Sequence, residues 1–303
     1  MIVLPPFALY RPSSLAEVAD LLAAHRRDAA LYAGGTELLL LLKEGLLRVQ
    51  CLVDVKRVPG LAEIAAEGEV LRIGATARHR TVERSALVRA RCPLVADVAR
   101  HVANVRVRNV GTVGGNLAFA DPHSDLATLY LTLDGMVRLW SRAGERDVAL
   151  EEFLRGPYET AREEDEVLTA VRVRPWPAGT AGVYLKFGLY ERPTLGVALA
   201  VSVDARGRVA AARLAVGCVG PRPRRFPAVE AEARGQTLGE LAADAERLAR
   251  AAAEGVDTTS DTHGSADYKR DMTRVFVRRA LRIVAARAGG QEPHARYPHT
   301  IVV

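Results

Sequence analysis

The chain has 303 residues, 49% hydrophobic and 26% charged, with a formal net charge of +6. That length and balance fit a soluble globular protein of two or three domains. Lysine occurs only at positions 43, 56, 186 and 269, so the positive charge is almost all arginine, scattered among acids rather than gathered in the one-sided stripe that nucleic acid needs.

Three distant cysteines, Cys51, Cys92 and Cys218, form no CxxC pair. This argues against a zinc ribbon, a protein-held iron–sulfur cluster or a disulfide framework, and leaves three small buried apolar residues in a reducing, cytoplasmic compartment. The start, "MIVLPPFALYRP", lacks the basic and long apolar regions of a signal peptide. "RPSSLAEVADLLAAHRR" places a capping box, Ser14 with Glu17, ahead of Leu15, Val18, Leu21 and Leu22 at helical spacing. "DAALYA" predicts a buried strand that runs into Gly34-Gly35, and Thr36 is placed to cap a helix over 37–43. The apolar run "ELLLLLKEGLL" in that helix falls far short of the ~20 residues that span a bilayer. "VQCLVDV" predicts a second buried strand, so the chain opens with a β-α-β-like unit.

"LAEIAAEGEVLRIGATA" reads as a hairpin about Glu67-Gly68, and "MVRLWSRAGERDVAL" as another about Ala143-Gly144. Between them "TVERSALV" and "CPLVADVARHVAN" are helical, followed by the glycine-rich "RNVGTVGGNLAFADPHSDL". "LEEFLRG" predicts a short helix and "EVLTAVRVRP" a strand. Prolines 175 and 177 mark a domain boundary at 175–181. Beyond it, "GVYLKFGLY" and "GVALAVSVDARGRVAAARLAVGCVG" predict an antiparallel sheet turning at Ala205–Arg208, and 237–288 is helical. The pattern is α+β.

Two glycine turns stand out. "LYAGGTELL" puts glycines at a strand end before a helix, where free backbone N–H groups suit a phosphate. In "GTVGGN", Gly114 and Gly115 permit close backbone approach, and Thr112 and Asn116 add hydroxyl and amide donors. Neither turn matches G-x-G-x-x-G or the P-loop. Each alone reads first as a tight turn or helix cap; together they suit a pyrophosphate held from two sides. In "DPHSDL", Asp121 opens a turn, Asp125 either caps the next helix or binds sugar hydroxyls, and His123 reads as an exposed loop residue. Lys186 is either a surface residue at a strand end or a point charge beside an electron-rich ring. Tyr10, Tyr32, Tyr184 and Tyr190 could stack on such a ring or fill half-buried strand positions. No catalytic or metal-ligand constellation emerges, which points to a cofactor for the chemistry.

"LYAGGTELLLLLKEG", "CLVDVKRVPGL", "LRIGATA", "RNVGTVGGNLAFADPHSDL", "VYLKFG" and "DYKRDMTRVFVRRAL", in this order, make the whole chain resemble the medium, FAD-binding subunit of the molybdenum hydroxylases, the family of xanthine dehydrogenase and the aerobic carbon monoxide dehydrogenases. The resemblance implies a vanillyl-alcohol-oxidase/PCMH-type FAD-binding domain over 1–177, in subdomains of about 1–57 and 58–177. A C-terminal domain of three-stranded antiparallel sheet and helices would occupy 178–303. It implies FAD pyrophosphate contacts from Leu31, Tyr32, Ala33, Gly34, Gly35, Thr36, Glu37 and Leu38, and from Thr112, Val113, Gly114, Gly115 and Asn116. Asp125 would bind sugar-chain hydroxyls, Leu168 and Val102 would lie beside the ring, and Lys186 near its polar edge. Tyr190, Thr194 or Leu195 would cover the flavin face.

The same resemblance implies an electron-transfer oxidoreductase subunit in a cytoplasmic heterohexamer, a dimer of heterotrimers. The large subunit would carry molybdenum-pterin and the small one two [2Fe–2S] clusters, with NAD, a quinone or oxygen as acceptor. Two alternatives remain at this stage: a self-sufficient FAD oxidase or reductase, and a non-enzymatic nucleotide-binding assembly module.

Overall fold

The computed structural model describes residues 4–189, 191–293 and 296–303. The chain begins with β1 (Ala8–Tyr10), α1 (Leu15–His25), β2 (Ala29–Tyr32), α2 (Leu38–Lys43) and β3 (Cys51–Asp54). The strands form a parallel sheet of order β1-β3-β2. All of β3 is buried, and its neighbouring residues serve opposite faces: Leu52 packs with Leu42 and Val49, Val53 with Val18 and Leu22. A parallel sheet covered on both faces needs this continuous apolar strand. Ser14 caps α1, accepting from the Glu17 amide at 3.2 Å. Thr36 does not cap α2. Gly35 takes a left-handed φ of +72°, so the helix starts one residue later, and the cap position falls to Glu37, whose side chain makes no capping bond.

The first expected hairpin is β4 (Ile64–Glu67) with β5 (Val70–Gly74). Helices α3 (His79–Arg84), α4 (Ala86–Arg91), α5 (Pro93–Arg100), α6 (Val105–Val110), α7 (Val113–Phe119) and α8 (Asp125–Leu131) follow. The second hairpin, β6 (Met136–Ser141) with β7 (Gly144–Ala149), leads through α9 (Leu150–Phe153) and the short pair β8 (Leu154–Gly156) and β9 (Glu159–Thr160) to β10 (Val167–Val173). β10 slots between the hairpins to give the antiparallel order β4-β5-β10-β6-β7. The segment expected as a glycine turn is helical, with Gly114 and Gly115 inside α7. Thr112 offsets their helix cost of roughly 1 kcal/mol each by capping, its Oγ1 accepting from the Gly115 amide at 3.1 Å.

The last layer contains β11 (Ala181–Phe187), β12 (Leu195–Val203), β13 (Val209–Gly217), β14 (Arg224–Arg225), α10 (Pro227–Ala233), α11 (Leu238–Ala243), α12 (Ala245–Gly255), α13 (Ala266–Ala288) and β15 (Thr300–Val302). The three long antiparallel strands β11–β13 are extended at the edges by short β14 and β15. Residues alternate between faces along these strands. Val183 and Leu185 join the core under α12 and α13, while Tyr184, Ala198 and Ala215 join the core of the preceding layer. Cys51, Cys92 and Cys218 are buried free thiols. Among the described residues, no helix is long and apolar enough to cross a membrane.

Candidate functional site

A groove of about 690 Å³ runs between the β2–α2 turn, the start of α7 and residues 191–193 of the β11–β12 connection. Its lining includes Leu31 to Leu38, Val102, Thr112, Gly114, Gly115, Asn116, Asp125 and Leu168. Two of the expected site residues lie elsewhere. Val113 is fully buried in the core, and Lys186 lines an adjoining, more open cavity of about 1050 Å³.

The first turn is built with its carbonyls inward. Lys56 Nζ donates to Ala33 O at 3.0 Å and sits 3.9 Å above the Tyr32 ring. Gly35 O accepts from Leu39 N, and Glu37 O from Leu40 N and Leu41 N. Among the described residues, the backbone amides of Gly34, Gly35, Thr36, Glu37 and Leu38 donate to no protein acceptor. Five successive open donors at the edge of a groove form an anion-binding concavity.

The second segment is different. Val113 N donates to Ala77 O at 3.0 Å, Gly114 N to Ala75 O at 2.8 Å, and Gly115 N to Thr112 Oγ1. The amides from Val113 to Asn116 are all used, so what the segment offers the groove is the Thr112 hydroxyl and amide and the Asn116 side chain. Ser124 Oγ donates to Asn116 Oδ1 at 2.7 Å, leaving Nδ2 without a protein partner among the described residues.

The glycines serve packing as much as access. A Cβ on Gly34 would lie 2.5 Å from Val110 O and 2.8 Å from Gly111 Cα, so this glycine lets the two segments abut. A Cβ on Gly114 would lie 2.6 Å from the Ala75 Cβ, whereas at Gly115 the only neighbour is Thr112 Oγ1 at 2.8 Å.

Asp125 is the first residue of α8 but not its cap. Ser124 is the cap, accepting from the Ala127 amide at 3.1 Å. The buried Asp125 carboxylate instead accepts from Tyr184 Oη at 2.9 Å and Lys186 Nζ at 2.7 Å. Burial pushes the carboxyl pKa up, opposed by the Lys186 ammonium. Lys186 is not a surface residue: its side chain is 6% exposed, and it also donates to His101 O at 2.9 Å. Arg108 NH1 donates to Val102 O at 3.0 Å and Ala103 O at 2.8 Å. Two cations thus hold three consecutive carbonyls and fix the turn that carries Val102. Leu168 reaches the groove at a β-bulge in β10.

His123 is not an exposed loop residue. Its Nδ1 lies 2.7 Å from Pro193 O, its Nε2 lies 3.3 Å from Asp261 Oδ2 with the side chain 12% exposed, and its ring packs on His263. Arg192 spans the groove, pairing with Glu37 at 2.9 Å and Asp121 at 3.0 Å. Asn104 holds Glu191 beside it. Residue spacing gives no sign of these pairs, which join positions 155 and 87 apart in the chain. His79 is a further groove residue that sequence reasoning missed. Burial first, then Arg108, pushes its pKa down to about 4, and its Nδ1 has no partner among the described residues. Thr194 and Leu195 are buried and do not line the groove; Tyr190 lies outside the described residues. Tyr32 lines the groove, whereas Tyr10 packs on His25.

A parallel α/β unit and a helix-covered antiparallel layer that enclose a groove of open amides, backed by a second antiparallel domain, define a nucleotide-cofactor protein of two-domain α+β architecture. Residues 5–177 match the FAD binding domain in molybdopterin dehydrogenase, and residues 191–284 the CO dehydrogenase flavoprotein C-terminal domain. The chain is 31% identical to the nicotine 6-hydroxylase medium subunit of Paenarthrobacter nicotinovorans, over 94% of its own length and 99% of the relative's. Its fold is similar to carbon monoxide dehydrogenase from Hydrogenophaga pseudoflava (TM-score 0.89, 34% identity, 94% of this chain and 99% of that one). Quinoline 2-oxidoreductase from Pseudomonas putida 86 is likewise similar (TM-score 0.88, 33% identity, with the same coverage). The chain belongs to the FAD-binding subunits of the molybdopterin dehydrogenase family, and it is an oxidoreductase subunit.

Proposed function

We propose that the chain relays electrons as the FAD-carrying subunit of a cytoplasmic molybdenum hydroxylase. Residues 1–177 (about 1–57 and 58–177) form the flavin domain and 178–303 the C-terminal domain. In this reading it receives electrons from the [2Fe–2S] clusters of a small partner subunit, beside a large subunit with molybdenum-pterin. It delivers them to NAD, a quinone or oxygen, in a dimer of heterotrimers.

The carrying observation is the run of open amides at Gly34–Leu38, in one groove with Thr112 and the free Asn116 Nδ2. A dinucleotide pyrophosphate fits that donor set: backbone amides meet it from one side, a hydroxyl and a carboxamide from the other. When bound, FAD supplies the exchange between one- and two-electron transfer that side chains lack. Leu31, Tyr32 and Ala33 lead into the pyrophosphate turn, and Asp125 accepts from sugar-chain hydroxyls. Val102 and Leu168, in the groove lining, would help exclude water from a bound flavin, and Lys186, in the adjoining cavity, would supply it with a positive charge. Val113 acts from behind, locking the second segment to Ala77.

Reconstitution tests this. The purified full chain retains FAD with its absorption bands, and FMN, which lacks the second phosphate, does not displace it. Absence of flavin bands after incubation with FAD overturns the reading. Turnover of an organic substrate by the isolated chain, without molybdenum or iron, would instead favour a self-sufficient oxidase.

A further inference from the structure

We infer that Asp125, Lys186 and Tyr184 act as one charge-balanced unit that sets the midpoint potential of the cofactor in the groove. The inference rests on the reading of that groove as the flavin site. Tyr184 and Lys186 stand two residues apart on β11 and therefore share a face, opposite the first residue of α8. Their distances make a closed unit: Lys186 Nζ to Asp125 Oδ2 2.7 Å, Tyr184 Oη to Asp125 Oδ1 2.9 Å. The Asp125 and Lys186 side chains are 5% and 6% exposed.

Placement gives the unit its role. Asp125 lines the groove and Lys186 lines the adjoining cavity, so the pair forms part of the wall between them. A buried ion pair is a weak source of stability, because desolvation consumes most of its attraction. Charges in a low-dielectric wall do act strongly on a neighbouring site. An isoalloxazine ring carries more negative charge reduced than oxidised, so nearby positive charge favours the reduced form and negative charge the oxidised one. Within the pair each charge masks the other, and the Tyr184 hydroxyl draws density from the carboxylate. The potential therefore depends on the balance of the unit rather than on the lysine alone.

Spectroelectrochemical titration of the FAD-loaded full chain tests this. Asp125→Asn raises the midpoint potential, Lys186→Met lowers it, and the double variant returns close to wild type. Tyr184→Phe, which keeps the ring packing, gives a smaller downward shift and carries the test if a single charge variant fails to fold. Shifts of the same sign in both charge variants, or no downward shift in Tyr184→Phe, overturn the inference while the reading of the groove as the flavin site stands. A merely structural unit would weaken FAD retention in every variant without the opposed signs. If the wild-type chain takes up no FAD, the flavin reading fails, and this inference fails with it.

Discussion

The two glycine doublets look alike as text and behave as opposites in the fold. At Gly34-Gly35 the carbonyls are turned inward and five amides stay open. At Gly114-Gly115 the amides are consumed by Ala75 and the Thr112 cap, and the Val113 amide before them by Ala77, so neither glycine has an amide left for the groove. Glycine in the first segment serves a left-handed φ and an abutting neighbour; at Gly114 it serves helix-to-strand packing. A glycine pair therefore signals close approach, and only the hydrogen-bond inventory says whether the approaching party is a ligand or the protein itself.

Substitutions in the two segments test this contrast. The largest effect is expected at Gly114→Val, which drives a branched side chain into Ala75; unfolding stability falls by about 3 kcal/mol and FAD retention is lost, as denaturant melts and flavin absorbance will report. His79 packs under the same segment, with its Cδ2 only 3.2 Å from where a Gly111 Cβ would lie. Its folded pKa is depressed from 6.5 to about 4, so as pH falls through 6.5 the unfolded chain binds a proton that the native one refuses. The full stability is present above pH 6.5 and roughly 3 kcal/mol is lost on the way to pH 4. Urea midpoints across that range should show a shallower fall in His79→Gln.

Gly34→Ala pushes the two segments apart while leaving each core whole, so FAD affinity falls at least about tenfold (roughly 1.4 kcal/mol) with a smaller change in melting temperature. Equal loss of both would erase the distinction between the segments. Thr112→Ala removes a helix cap worth about 1 kcal/mol and one groove hydroxyl, and calorimetry with FAD titration separates the two losses. Gly115→Ala is the mildest, because Thr112 Oγ1 is the only atom in the way; an effect as large as that of Gly114→Val would contradict the packing account.

Much of this was legible from residues alone. Both hairpins were legible about Glu67-Gly68 and Ala143-Gly144, but each turns one residue away from the expected pair: Glu67 pairs with Val70 and Ser141 with Gly144, so the turns are Gly68-Glu69 and Arg142-Ala143. "VQCLVDV" declared a buried strand, and β3 is covered on both faces. The helices α6 and α7 were hidden because β-branched valines and paired glycines are poor helix formers; Asn104 and Thr112 caps and packing on β5 and α3 override that preference. β1 was hidden because it is three residues long and mostly exposed. Candidates for the flavin face aside, of the site residues expected from the glycine segments and the family resemblance all but Val113 and Lys186 line the groove, yet they are fewer than half of its lining. Arg192, His79 and the buried setting of His123 were not legible, since long-range pairing leaves no periodic trace.

The alternation along β11 to β13 carries a consequence for dissection of the gene. Tyr184, Ala198 and Ala215 belong to the same core as Leu126, Leu129 and Val95, although the proline-rich boundary at 175–181 lies between them in sequence. A fragment ending at residue 177 would lose those side chains, bare the apolar flank of α8 to water and strip Asp125 of both its Lys186 ammonium and its Tyr184 hydroxyl. The boundary visible in the text is thus a joint in the chain but not a cleavage plane in the molecule, and expression trials should keep both halves in one polypeptide.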